Sequence, residues 1–169
     1  MKCLTIWQPW ASLIMIGAKP IEWRSWYAPR SMHGQRIGIH AGTRKVAKIE
    51  VYQLITDCIH EGRQHLAGEP IDHPTGLDIP IALDFLSTLL TAPELAPLSC
   101  LLGTAVIGEP RLAADHGYPV DSDRLEEQNW GWPLSDVQPL AEPVWVKGRQ
   151  GFWTLPDAAD AARMFVEAA

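Results

Sequence analysis

Lys19, Glu22, Arg24 and Trp26 fall within eight consecutive positions, placing two cations, a carboxylate and an indole in one short segment. That set suits a phosphate ester that carries a base. Lys and Arg neutralise phosphate, an aromatic face stacks on a nucleobase, and a carboxylate accepts a proton or a hydrogen bond. Ile21 to Trp26 alternates in polarity, which predicts a strand with Ile21 and Trp23 on one face and Glu22, Arg24 and Trp26 on the other. The next alternating segment, Arg36 to Ala41, turns Ile37, Ile39 and Ala41 to the core and leaves Arg36, Gly38 and His40 on a polar face. The same spacing also fits a plain surface ion pair of Glu22 with Arg24 beside a solvated Lys19. Spacing leaves both readings open.

Charge is distributed unevenly along the 169 residues. The first 50 hold eight basic residues and two acidic ones, whereas the remainder is strongly acidic and brings the chain to a net −6. An acidic total argues against coating a long polyanion, yet a basic block inside it can build a local anion site. Eight tryptophans are the second unusual feature. Trp7, Trp23, Trp145 and Trp153 are expected in the core, and Trp10, Trp26, Trp130 and Trp132 are divided between core and ligand platform.

Other chemistry is poorly represented. No HExxH, Walker glycine loop, GxGxxG or GxSxG is present. Cys58, His60, His65 and His73 match no common zinc spacing, so no metal or cofactor is expected. Three widely separated cysteines, Cys3, Cys58 and Cys100, encode no disulfide framework and fit a reducing cytoplasm. The apolar stretch after Lys2 is interrupted by Gln8 and Pro9 and reads as folded structure rather than a leader. No run approaches the roughly 18 apolar residues that span a bilayer.

The elements that must position these residues follow from periodicity. Cys3 to Trp7 predicts a strand. Pro9 opens a helix carrying Trp10, Leu13 and Ile14 that Gly17 ends. A second helix is expected from about Thr43 to Ile59, with Val46, Ile49, Leu54 and Cys58 inward and Arg44, Lys45 and Lys48 outward. Composition then shifts to an irregular insertion around 60–98, with a short helix from Ile81 to Leu90. Ser99 to Glu109 is nearly continuous apolar and reads as the central strand. Asp115 to Asn129 reads as an acidic loop, and Trp130 to Trp132 reopens extended structure. Val144 to Val146 and Phe152 to Leu155 flank Lys147-Gly148-Arg149-Gln150-Gly151, a hairpin signal with a basic tip. An Ala-rich helix over 157–168 closes the chain, and no linker divides it, so residues 1–169 read as a single domain.

Three separated blocks add a resemblance. LTIWQPWASLIMIGAKPIEWRSWYAP (Leu4 to Pro29), CLLGTAVIGE (Cys100 to Glu109) and VWVKGRQGFWTL (Val144 to Leu155) resemble the ASCH domain in the family's own order, with the G-x-K-x-x-E-x-R-x-W motif on Gly17, Lys19, Glu22, Arg24 and Trp26. The resemblance implies an α+β, PUA-like fold, a small curved β-barrel with flanking helices and a cleft lined by Lys, Glu and Arg. It implies a nucleic-acid partner, above all single-stranded RNA, with DNA as a second candidate and no membrane. Some members cleave single-stranded RNA. A related branch of N4-acetylcytidine amidohydrolases uses the same Lys with a Thr three residues later and a distant Glu. Here the Thr position is Glu22, a poor substitute for a hydroxyl nucleophile, and the distant acid would be Glu109, Glu126 or Glu127.

The expected binding residues are therefore Lys19 and Arg24 on phosphate, Trp26 and Trp10 as stacking surfaces, and Arg36, Arg44, Lys45 and Lys48 as an extended track. A metal-independent ribonuclease in the same cleft would use Glu22 or His40 as base, Lys19 and Arg24 against the phosphorane charge, and Tyr27 as acid. A pocket for a modified nucleoside is the third reading.

Overall fold

The computed structural model describes residues 1–71, 73–118 and 129–155. Its strands are β1 (Lys2–Ile6), β2 (Ile21–Arg24), β3 (Arg36–Ala41), β4 (Cys100–Ile107), β5 (Arg111–Leu112), β6 (Trp130–Trp145) and β7 (Phe152–Thr154). The helices are α1 (Trp10–Met15), α2 (Lys48–Ala67) and α3 (Ile79–Leu89). The strands join in one sheet of order β2-β6-β4-β3-β1-β7, with β5 also on β6. The 16-residue β6 pairs with β2 and β5 through Trp130 to Pro133, then with β4 from Leu134 to Trp145. One strand thus serves two parts of the sheet. The result is one seven-stranded sheet with flanking helices, the expected α+β class.

β4 lies between β3 and β6, as its apolar run predicts. Leu4, Ile6, Ile14, Ile37, Ile39, Ala105, Ile107 and Trp132 form the main core between sheet and α1, while Leu13, Val51, Leu54, Cys58, Ala82 and Leu86 pack α2 and α3 against the other side of α1. The α1 N-terminus is held by Gln8, whose Oε1 accepts the Ser12 N–H at 3.1 Å and whose Nε2 donates to the Pro97 carbonyl at 2.9 Å. Gly17 stops the helix at φ 81°, and the Lys19 N–H turns back onto the Leu13 carbonyl at 3.1 Å. That return fixes where the Lys19 side chain starts.

Several expectations are corrected. α2 runs from Lys48 to Ala67 rather than Thr43 to Ile59, so Glu61 to Ala67 is helical, not part of an irregular insertion. Gly68, at φ 67°, ends it. The cations expected to oppose the helix dipole do so less than predicted. Arg44 and Lys45 precede the helix, and the Glu50 carboxylate accepts the Ala47 N–H and pairs with Arg44. Ile49, expected inward, is exposed.

The proposed hairpin is absent. β6 ends on β4, whereas β7 pairs with β1 through Lys2↔Thr154, Cys3↔Trp153 and Leu4↔Phe152, three strands away. Residues 147–151 therefore cross one end of the sheet instead of reversing in place. That crossing covers the second face of β3, so His40 is buried against Trp153, ring to ring at 5.3 Å, instead of lying on an open polar face. The tryptophans are redistributed as well. Trp132 and Trp153 are buried, whereas Trp7 and Trp145, expected in the core, are exposed. Most of the acidic loop after Asp115 and the 157–168 helix lie outside the described residues.

Among the described residues, no helix is long and apolar enough to cross a membrane.

Candidate nucleic-acid interface

Lys19, Glu22 and Arg24 meet as a charge relay. The Lys19 ammonium donates to the Ile21 carbonyl and lies 2.7 Å from Glu22 Oε2. Glu22 Oε1 holds an Arg24 Nη at 2.9 Å, and that nitrogen also donates to the Thr5 carbonyl at 3.0 Å. Lys19 and Glu22 are buried and Arg24 is half-buried. Burial pushes the Lys19 pKa below the ordinary lysine value, the Glu22 carboxylate opposes that shift, and Arg24 adds to it. The ion pair of the plainer sequence reading is present, but Lys19 joins it instead of being solvated. Trp10 lies under the ammonium, 5.9 Å from ring centre, and with Trp23 it borders a small cavity of about 210 Å³ that Lys19 and Glu22 also line.

A larger cavity opens on the Arg24 side. Its volume is about 710 Å³, and its walls are Thr5 on β1, Trp7 just after it, Arg24, His40, Gly42 and Thr43, Ser99, Trp145 and the 146–151 segment. Arg24, Lys147 and Arg149 supply positive charge, and among the described residues no carboxylate lines it. Trp7 and Trp145 border it at 59% and 54% exposure. Arg44 stacks on the Trp7 ring at 4.9 Å while pairing with Glu50. The buried Arg24 Nε–H has no partner among the described residues, a donor that an added acceptor would satisfy.

The crossing is fixed by polar anchors. The Thr5 hydroxyl donates to the Arg149 carbonyl at 2.7 Å, Trp153 Nε1–H donates to Thr5 Oγ1 at 3.0 Å, and His40 Nε2 lies 2.9 Å from the Val146 carbonyl. Gly148 packs directly on the His40 ring, where a Cβ would overlap Cε1 and Nδ1. Gly148→Ala should therefore cost about 1–3 kcal/mol through overpacking, read from chemical denaturation. A change under about 0.5 kcal/mol would show that the crossing is free to move off His40.

The remaining candidates are dispersed. Trp26 lies past the end of β2, not on its polar face, and packs edge-on against Trp132 at 4.5 Å and Phe152 at 5.9 Å. Tyr27 packs between Trp130 and His33 at 4.8 and 5.5 Å. Arg36 pairs with Asp136 and donates to Thr104 Oγ1 at 2.9 Å. Lys45 and Lys48 are exposed and do not line the large cavity. Glu109 is exposed, and Glu126 and Glu127 lie outside the described residues. Among the described residues no three His, Cys, Asp or Glu side chains gather as metal ligands.

Thr5, Trp7, Trp145, Lys147 and Arg149 were not among the expected site residues. The basic tip was visible in sequence, but its destination depends on β7 pairing with β1.

The profile of the ASCH domain matches residues 4–129, more than half of the chain. The chain belongs to the ASCH domain family. ASCH domains are associated with RNA binding. Activating signal cointegrator 1 of Homo sapiens is 40% identical over 75 residues, 44% of this chain and 12% of that protein, and its Mus musculus counterpart is 39% identical over the same length. The chain thus spans about an eighth of those relatives. The crystal structure of ASCH from Zymomonas mobilis aligns over 98% of this chain and 93% of that one, at 15% identity and a TM-score of 0.48. The ASCH match contains Thr5, Trp7, Arg24 and His40, whereas Trp145, Lys147 and Arg149 lie beyond it.

Proposed function

We propose that this chain is a cytoplasmic ASCH domain, folded as one unit, that binds single-stranded RNA in the large cavity. One observation carries the reading: a cavity of about 710 Å³ combines three cations, no carboxylate among the described residues and two exposed indoles. Its size is that of a small-ligand pocket, about 300–1,000 Å³, which suits one or two nucleotides rather than a duplex. Arg24, Lys147 and Arg149 hold phosphate, and Trp7 and Trp145 offer faces to unstacked bases. Lys19 and Glu22 act behind Arg24, orienting its guanidinium. The three cysteines are buried and free, in keeping with a reducing compartment.

Cleavage by the same cavity has less support. Glu22 is held by two cations, both His40 ring nitrogens have protein neighbours, and Tyr27 is not on the cavity wall. The test is titration of labelled single-stranded RNA, duplex RNA and single-stranded DNA across a salt series. Single-stranded RNA should bind best. Two or three phosphate contacts predict a log–log salt slope between about −1.4 and −2.1. Absence of binding to all three at low salt rejects the proposal, and RNA degradation in EDTA that is lost in Glu22→Ala would instead favour the ribonuclease reading. Thermal stabilisation by nucleosides but not by oligonucleotides would favour a modified-nucleoside pocket.

A further inference from the structure

We infer that His40 is a positioning residue for the basic crossing, and that a proton on its Nδ1 decides whether the Thr5 hydroxyl is committed to Arg149 alone or shared with the ring, so that a phosphodiester is bound with proton uptake. The uptake part rests on the large cavity being the nucleic-acid site; the positioning part does not.

The argument is a count of protons around one hydroxyl. Thr5 Oγ1 lies 2.7 Å from the Arg149 carbonyl, which only accepts, so the single hydroxyl proton belongs in that bond. Trp153 Nε1–H donates to the same oxygen at 3.0 Å. His40 Nε2 lies 2.9 Å from the Val146 carbonyl, again only an acceptor, so Nε2 is the protonated nitrogen, assigned from its partner. The other ring nitrogen, Nδ1, is 3.3 Å from Thr5 Oγ1. With the hydroxyl proton committed to Arg149, Nδ1 bonds Thr5 only as a donor, which requires imidazolium. A neutral ring instead offers a second, more distant acceptor for the hydroxyl proton, at 3.3 Å against 2.7 Å, and so weakens the bond to the Arg149 carbonyl. One proton on Nδ1 therefore separates a crossing tied firmly at Arg149 from one tied there more loosely.

The surroundings set the balance. Arg24 from β2 and Lys147 and Arg149 from the crossing share the cavity with His40, while β1, β7 and the residue before β4 present Thr5, Trp153 and Ser99, all uncharged. Burial holds the imidazole below its ordinary pKa, and the bond to Val146 opposes that only in part. An anion among those three cations lowers their repulsion and favours imidazolium. The bound protein then has the higher His40 pKa, so protons are taken up on binding. Affinity strengthens as pH falls through the interval between the bound and free values, by about tenfold for each pKa unit separating them.

The test uses the full chain and a heptauridylate without terminal phosphate, a ligand that does not titrate in this range. Histidine-labelled NMR from pH 5 to 8 should show the Arg149 and Gln150 amides moving together with the His40 ring in the free protein. Thr5→Val should keep the ring titration and remove that correlation. Calorimetry in buffers of different ionisation enthalpy should register proton uptake by the wild type and none by His40→Gln, which keeps a donor for Val146. Independent titration of ring and amides in the wild type overturns the positioning role, as does a correlation that survives Thr5→Val. A pH slope for RNA that persists in His40→Gln overturns the uptake. Failure to bind heptauridylate at any pH removes uptake together with the RNA reading, while the amide titration still decides the positioning role.

Discussion

Glu22→Ala should destabilise the fold by about 3–5 kcal/mol, the range for breaking a buried ion pair from one side. The carboxylate is 5% exposed and holds Lys19 at 2.7 Å and Arg24 at 2.9 Å. Arg24 is exposed enough to turn toward water once its partner is gone. Lys19, at 7% exposure, is not. Its ammonium would retain the Ile21 carbonyl and the Trp10 face but no counter-charge. The sign of the pH dependence follows from Lys19. Burial already lowers its folded pKa, and removing Glu22 lowers it further, so the unfolded chain binds the extra proton between the folded value and the ordinary lysine value. Stability of the variant should therefore rise with pH through that alkaline window, and its deficit against wild type should shrink there. A Lys19→Met, Glu22→Leu double variant, which replaces both charges with apolar groups, should recover most of the loss at neutral pH. Denaturant melts of the three proteins at pH 7 and pH 10 check this. A Glu22→Ala cost under about 1 kcal/mol would mean that the relay behaves as an exposed ion pair.

Trp145→Ala should lose about 1–3 kcal/mol of RNA affinity, about 5- to 150-fold, while leaving stability within about 0.5 kcal/mol of wild type. More than half of its surface is already in water, so little packing is lost with it. The ring stands beside Lys147 and Arg149 on the wall of the large cavity. A base stacked there would have its phosphate within the same cluster of cations. Trp145→Phe should retain most of the affinity, because every base offers a π-face to any aromatic ring. Trp7→Ala is a weaker probe, since the Trp7 ring also carries the Arg44 guanidinium, and its loss disturbs a cation as well as a stacking face. Anisotropy titrations with single-stranded RNA at one fixed salt concentration decide the matter. Unchanged binding by Trp145→Ala would move the bases elsewhere on the surface.

Legibility in the sequence followed how local each feature is. β3 appears over the predicted Arg36 to Ala41, and the Gly17 stop and the central β4 were readable because alternation, a left-handed glycine and an unbroken apolar run act over a few residues. The pairing of Glu22 with Arg24 was readable for the same reason, whereas spacing left open whether Lys19 joins them or is solvated, and burial decided it. The charge split was a poorer guide. Lys147 and Arg149, two of the three cavity cations, come from the acidic remainder of the chain, whereas Arg36 in the basic block is spent on Asp136.

What the sequence determined by itself was the family, the α+β elements and the closeness of Glu22 to Arg24, while the burial that draws Lys19 into that pair came from the packing. Tertiary structure alone decided the cavity. Val144 to Leu155 has the local form of a hairpin, and a hairpin would have kept Lys147 and Arg149 at a free tip. Instead β7 adds to β1, three strands from the end of β6, which carries the tip across the sheet, buries His40 and Trp153, and leaves Trp7 and Trp145 facing solvent. Strand partners are chosen by hydrogen bonding and burial between segments about 150 residues apart, as Lys2 with Thr154, and no periodicity within either segment encodes that choice.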